Sequence, residues 1–202
     1  TRRCSSLNPS RPRTTQTNNV GTEAIEATDN RIDGRAIAEQ IHGETRRHIE
    51  ALSEQGTPPG LVFVRVGEDP ASRVYVGMKE KTCAHLGIQS TTHVLPEDTS
   101  EKELLKLISE LNANPTVHGI LVQAPLPAHP TEATAVASVS PNEDDGGFHP
   151  LNVAHLLLLD STSFVPSTPA GIHELSARAF LHSIGAQVAV FVRGTNVGQP
   201  MP

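Results

Sequence analysis

An α/β protein, with a parallel sheet and helices against both of its faces, is predicted by three features of this 202-residue sequence. Short apolar runs rich in β-branched residues, LVFVRV at 61–66 and GILVQ at 119–123, have the composition of buried strands. Longer stretches carry their apolar residues at helical spacing. The two kinds alternate along the chain, which favours parallel strands joined by helical crossovers over a sheet of hairpins.

Taken in order, Thr1 to Val20 holds four arginines (Arg2, Arg3, Arg11, Arg13), much Ser, Thr and Asn, and no acid before Glu23. That composition suits an organellar leader, mitochondrial or other, and equally a solvated tail on a cytoplasmic protein, so residues 1–30 are set apart from the fold. From about Arg31, Ile37, Ile41, Ile49 and Leu52 mark a helix that Gly56 ends. Pro58, Pro59 and Gly60 turn the chain into the first strand, 61–66. The stretch DPASRVYVGMKEKTCAHLG predicts a second helix, with Asp69 as N-cap, Pro70 in the first turn and Gly87 as its stop. A strand is expected over 90–95. Ser100 with Glu103 forms a capping box ahead of Leu104, Leu105, Leu107, Ile108 and Leu111. The third strand, 119–123, runs into a proline-rich corner at 124–127.

Composition narrows the function. A net charge of −6 argues against a general nucleic-acid surface, which needs clustered Lys and Arg. No apolar run approaches the ~20 residues of a membrane-spanning helix. Cys4 and Cys83 make neither a disulfide framework nor a metal-binding spacing, so an intracellular protein without a metal is expected.

Chemistry concentrates in the second helix. Tyr75 and Lys79 stand four apart and share one helical face. A lysine beside a phenol can exchange protons if burial draws its pKa toward neutrality. Standing alone, such a pair is more often a solvated lysine near a half-buried tyrosine. Ligands of parallel α/β sheets gather at the carboxyl ends of the strands. That rule places the 67–69 loop, the start of the Tyr75 helix, Gln123 and Pro125 around one mouth. Gln123 can donate to and accept from a bound heterocycle, or satisfy loop backbone instead.

Four segments, PPGLVFVRVGEDPASRVYVGMKEK, HGILVQAPLP, DDGGFHPLNV and FVPSTPAGIHEL, resemble in order and spacing the methylenetetrahydrofolate dehydrogenase/methenyltetrahydrofolate cyclohydrolase family, from about Arg31 to Met201. The resemblance implies a folate-binding catalytic domain over 31–167, followed over 168–202 by the incomplete start of a Rossmann domain for NADP, or NAD, in a homodimer. It implies oxidation of methylenetetrahydrofolate and hydrolysis of the methenyl product to formyltetrahydrofolate. Lys79 would be the general acid/base. Tyr75 would stack on the folate, Gln123 would orient Lys79, and Pro125 would line the pocket. Thr168, Gly171, Arg193 and Gly194 would border the cofactor, with 187–192 as the first strand of its domain.

The departures are specific. Where the family carries an aspartate that binds the pterin, this chain has Gly146. A carboxylate gripping a pterin edge is worth roughly 1.5–3 kcal/mol, so Gly146→Asp is expected to tighten folate binding. Asp145 is a candidate substitute; Asp144 and Asp145 are otherwise solvated loop charges. In the nucleotide turn, Val192 and Gly194 replace a glycine and a serine of the family pattern. These departures, with the family's pattern continuing past Pro202, keep a second expectation open: a non-catalytic relative with a partial folate cleft.

Overall fold

The computed structural model describes residues 32–127, 131–158 and 164–179, together with 185, 187, 189–192, 194, 197 and 198. The expected tail, 1–30, lies outside the described residues. The strands are β1 (Gly60–Val66), β2 (Gln89–Leu95) and β3 (Gly119–Val122), and the helices are α1 (Gly34–Glu54), α2 (Pro70–Leu86), α3 (Glu101–Asn112), α4 (Glu132–Ser138), α5 (Pro150–Leu157) and α6 (Ser167–Arg178).

All three strands are parallel, in the order β2-β1-β3. Leu61 pairs with Ser90 on one side and with Gly119 on the other. Helices cover both faces, as the alternation predicts. Val62, Val64 and Val66 of β1 and Ile120 of β3 pack with Leu104, Ile108 and Leu111 of α3 and Ala135 of α4. Phe63 and Leu121, one residue out of step, pack with Val76 and Cys83 of α2 on the opposite face. The period of two along each strand therefore assigns its residues to two separate cores.

The caps form where their residues are written. The Asp69 carboxylate accepts from the Ser72 backbone N–H at 2.7 Å, and Gly87 takes a left-handed φ of 87° at the end of α2. The Ser100–Glu103 box is complete at the head of α3. Within LVFVRV, Arg65 is buried, and its guanidinium donates to the Gly67 carbonyl at 2.5 Å and to Glu68 at 3.2 Å.

One expected element is corrected. Gln187 and Ala189 to Val192, the described part of the expected fourth strand, are not in a strand. A strand exists by pairing, and this segment pairs with none of the described residues; the Phe191 side chain is 96% exposed.

Candidate active site

A cavity of about 630 Å³ opens between α2, the Phe63 face of the sheet and the loop ahead of α5, within the size range of small-molecule sites. Helix α2 contributes Tyr75, Met78, Lys79 and Cys83 to its wall; the sheet contributes Leu61, Phe63 and Leu121. Gln123 and Ala124 close one side, and Asp145, Gly146 and Phe148 another. Glu132 and Val136 of α4 and Ser167 at the head of α6 also line it. The wall is mostly apolar, with a few ionisable groups set into it.

Lys79 is one of these. Burial holds its pKa below the ordinary lysine value, while the Asp145 carboxylate and the Cys83 thiol oppose the shift. Asp145 moves the other way. Its residue surface stays open to the cavity mouth, yet protein surrounds the carboxyl closely enough for desolvation to push its pKa up, against the pull of Lys79 and with the help of Asp144. Burial likewise raises the Cys83 thiol, assisted by Asp145 and opposed by a hydrogen bond from Ser90.

Tyr75 stands at the lip, 57% exposed. Gln123 donates from Nε2 to the Ala124 carbonyl at 2.6 Å, so part of its amide serves loop backbone. The Ser72 hydroxyl donates to the same carbonyl at 3.1 Å and ties α2 to the corner after β3. Pro125, which follows a cis peptide bond, is exposed and off the wall, which ends at Ala124. The 67–69 loop is likewise off the wall; Asp69 is occupied in capping α2.

In the loop ahead of α5 the two aspartates divide. Asp144 is no solvated charge: it is buried, and its Oδ2 accepts from the His149 backbone N–H at 2.8 Å and from the Asn152 amide at 2.9 Å. It also bridges to Ile120, fixing the loop beside β3. Asp145 is thereby left on the cavity wall. Gly146 is constrained sterically, since a Cβ there would lie 2.7 Å from Cδ2 of the Phe148 ring. Sequence spacing carried no signal for Ser72 or for Asp144, because their partners are a distant carbonyl and the start of a helix.

The residues expected to border a cofactor are not among those that line this cavity. Thr168 and Gly171 are exposed in the first two turns of α6, while their neighbour Ser167 reaches the wall. Gly194 is exposed at φ 135°, and Arg193 lies outside the described residues. Elsewhere, ligand atoms of Glu39, His42 and His85 lie within 4.8 Å of one another. The Arg46 guanidinium, however, donates to His85 Nε2 at 2.8 Å and sets a positive charge where a cation would sit. No helix among the described residues is long and apolar enough to cross a membrane.

Residues 32–145 match the family model for tetrahydrofolate dehydrogenase/cyclohydrolase, catalytic domain. The chain is 45% identical over 170 residues to the bifunctional protein FolD of Geotalea uraniireducens, covering 84% of this chain and 60% of that protein. It is similar in structure to the bifunctional enzyme FolD, a methylenetetrahydrofolate dehydrogenase/cyclohydrolase, from Campylobacter jejuni, with 34% identity and a TM-score of 0.77 over 84% of this chain and 60% of that one. The Trypanosoma brucei methylenetetrahydrofolate dehydrogenase-cyclohydrolase, complexed with NADP cofactor and inhibitor, gives 29% identity and a TM-score of 0.74 over 84% and 58%. The chain thus spans about 60% of the length of the curated relatives it matches.

Proposed function

This chain belongs to the tetrahydrofolate dehydrogenase/cyclohydrolase family, and from that premise we propose that its cavity takes a folate-linked one-carbon unit and that Lys79 moves the protons of its hydrolysis. The observation that carries the reading is Lys79 itself: a half-buried amine, its pKa drawn down by burial, on the wall of a largely apolar cavity beside Tyr75, Gln123 and Asp145.

The chemistry follows from the amine. Water adds to the cationic methenyl carbon, forming a C–O bond, and the neutral Lys79 amine takes a proton from that water. The resulting ammonium returns the proton to the ring nitrogen as the bond from carbon to that nitrogen breaks. The adduct's remaining hydroxyl proton leaves to solvent, and a formyl group stays on the other nitrogen. A lysine serves because desolvation makes its neutral form accessible. Tyr75 at the lip offers a ring face for stacking, and Gln123 keeps its amide oxygen for ligand or lysine.

Dehydrogenation of the methylene bridge belongs to the same proposal, with a nicotinamide dinucleotide, NADP or NAD, as partner. When bound, that group supplies a hydride acceptor. Two features suit it. A Cβ at Gly198 would meet the Val192 carbonyl oxygen at 2.5 Å, so the turn there closes tightly enough to require glycine. The N-terminus of α6 also has no side-chain cap, which leaves backbone N–H groups at Ser167 and Thr168 for a polar ligand. Thr168, Gly171, Gly194 and the turn through Gly198 are the residues that would hold it. A homodimer and an organellar address rest on the resemblance and on the Arg-rich N-terminus respectively.

The test is loss of methenyltetrahydrofolate absorbance, corrected for its spontaneous hydrolysis, with the wild-type chain and Lys79→Ala. The expected outcome is catalysed hydrolysis that falls by about a hundredfold or more in the variant. Folate binding without any catalysed hydrolysis would replace this reading with that of a non-catalytic folate-binding relative. Equal rates in both proteins would remove Lys79 from the mechanism.

A further inference from the structure

Asp145 and Lys79 reach the same cavity from different parts of the chain, one from the loop ahead of α5 and the other from the middle of α2. Asp145 is placed firmly although it is a loop residue. Its neighbour Asp144 is pinned to His149 and Asn152, and its own side chain lies over Gly119, where an added Cβ would be 3.7 Å from its Cβ and 4.0 Å from its Oδ1. Its carboxylate takes part in none of the described hydrogen bonds, whereas Asp144 is committed to two. The ionisable groups around the pair are Tyr75 and Cys83 from α2, Glu132 from α4 and Asp144 from the same loop. Lys79 is the one cation among the residues that line this cavity.

Resting on the proposed function above, we propose that Asp145 acts through Lys79, as the counter-charge that holds the ammonium while it carries the proton from water to the ring nitrogen. Asp145 forms no bond to the substrate in this step and is a positioning residue. The proton bookkeeping is that of the hydrolysis itself. Water loses a proton to the amine, the ammonium loses it to nitrogen, and the carboxylate stays ionised beside it. Without that negative charge, an ammonium formed within a largely apolar wall loses the group that most favours its charged form.

The direction of the effect follows from the site. Asp145 raises the pKa of Lys79 against the lowering by burial. Removing its charge takes away the larger of the two influences that oppose burial, leaving only that of Cys83, and lets the lysine lose its proton at lower pH. Asp145→Asn therefore moves the limb of the kcat–pH profile governed by Lys79 toward lower pH. KM for methenyltetrahydrofolate stays within about twofold of wild type, since no substrate contact is lost. Asp145→Glu, which restores the charge, returns the limb toward its wild-type position.

The experiment is a kcat and KM profile of hydrolysis against pH for wild type, Asp145→Asn, Asp145→Glu and Lys79→Ala. A limb that shifts in Asp145→Asn and returns in Asp145→Glu, with KM held, supports the proposal. An unchanged limb, or a large rise in KM with the limb in place, overturns it; the latter would make Asp145 a substrate-binding group. Wild-type hydrolysis that is unaffected by Lys79→Ala would instead defeat the underlying reading, so the two failures are told apart within one data set.

Discussion

A Cβ built on Gly146 would lie 2.7 Å from Cδ2 and 2.9 Å from Cε2 of Phe148, a ring that itself lines the cavity. Restoring an aspartate at this position therefore does more than return a carboxylate, because it also pushes the ring out of the wall. We expect Gly146→Ala to destabilise the protein by about 1–3 kcal/mol through overpacking, read from urea denaturation. Gly146→Asp is accordingly expected to bind folate no more tightly than wild type in titration calorimetry, the reverse of what the family pattern alone implies. A tighter dissociation constant would show that Phe148 yields at little cost. Single residues were legible where their chemistry is local. Tyr75 and Lys79 share a helical face by their spacing, and both reach the cavity. Asp144 was not legible: nothing in its sequence neighbourhood distinguishes a buried carboxylate pinning a helix start from a charge in water. Pro125 is not among the residues that line the cavity, and proximity to Gln123 in sequence says nothing of which side the corner turns.

Helix α2 carries the lysine, and its rigidity rests on contacts at its first turn. Asp69 caps the backbone N–H of Ser72, while the buried Ser72 hydroxyl donates to the Ala124 carbonyl, which also accepts from Gln123. One serine thus joins the helix that carries Lys79 to the corner that carries Gln123. Ser72→Ala removes a donor from a shared acceptor and should cost roughly 0.5–1.5 kcal/mol of stability. It should also raise KM for the folate substrate, because the two walls are no longer held in register. A stability loss with KM unchanged would confine Ser72 to the fold. The elements themselves were legible to within a residue or two wherever a cap or a glycine stop is written, as at Asp69, Gly87 and the Ser100–Glu103 box. Helices α4 and α5 were not, being seven and eight residues long. Periodicity needs more than two turns to declare itself. Helix α6 opens on Ser167 and is held to α1 by Arg178 donating to both Glu44 oxygens at 2.9 and 2.8 Å.

Across the molecule the sheet divides stability from chemistry. Leu104 and Ile108 of α3 are fully buried against Val62, Val64 and Ile120 on one face. The cavity opens on the other, over Phe63 and Leu121. Alternation along β1 and β3 made both cores predictable in kind, but not which one would be left partly empty. That depends on which α2 side chains meet the sheet: Val76 and Cys83 pack on Phe63 and Leu121, while Lys79 lines the cavity. Two variants separate the roles. Leu104→Ala opens a void in the closed core and should cost about 2–5 kcal/mol, while kcat and KM measured well below its melting temperature stay near wild type. Phe63→Leu keeps an apolar side chain but removes a ring from the cavity wall, so its stability loss should be smaller and its KM for folate higher. Urea midpoints and steady-state kinetics on both proteins decide the matter. A large KM change in Leu104→Ala at a temperature where it is fully folded would mean that the two faces are coupled through the strands, and that the closed core shapes the site as well as supporting it.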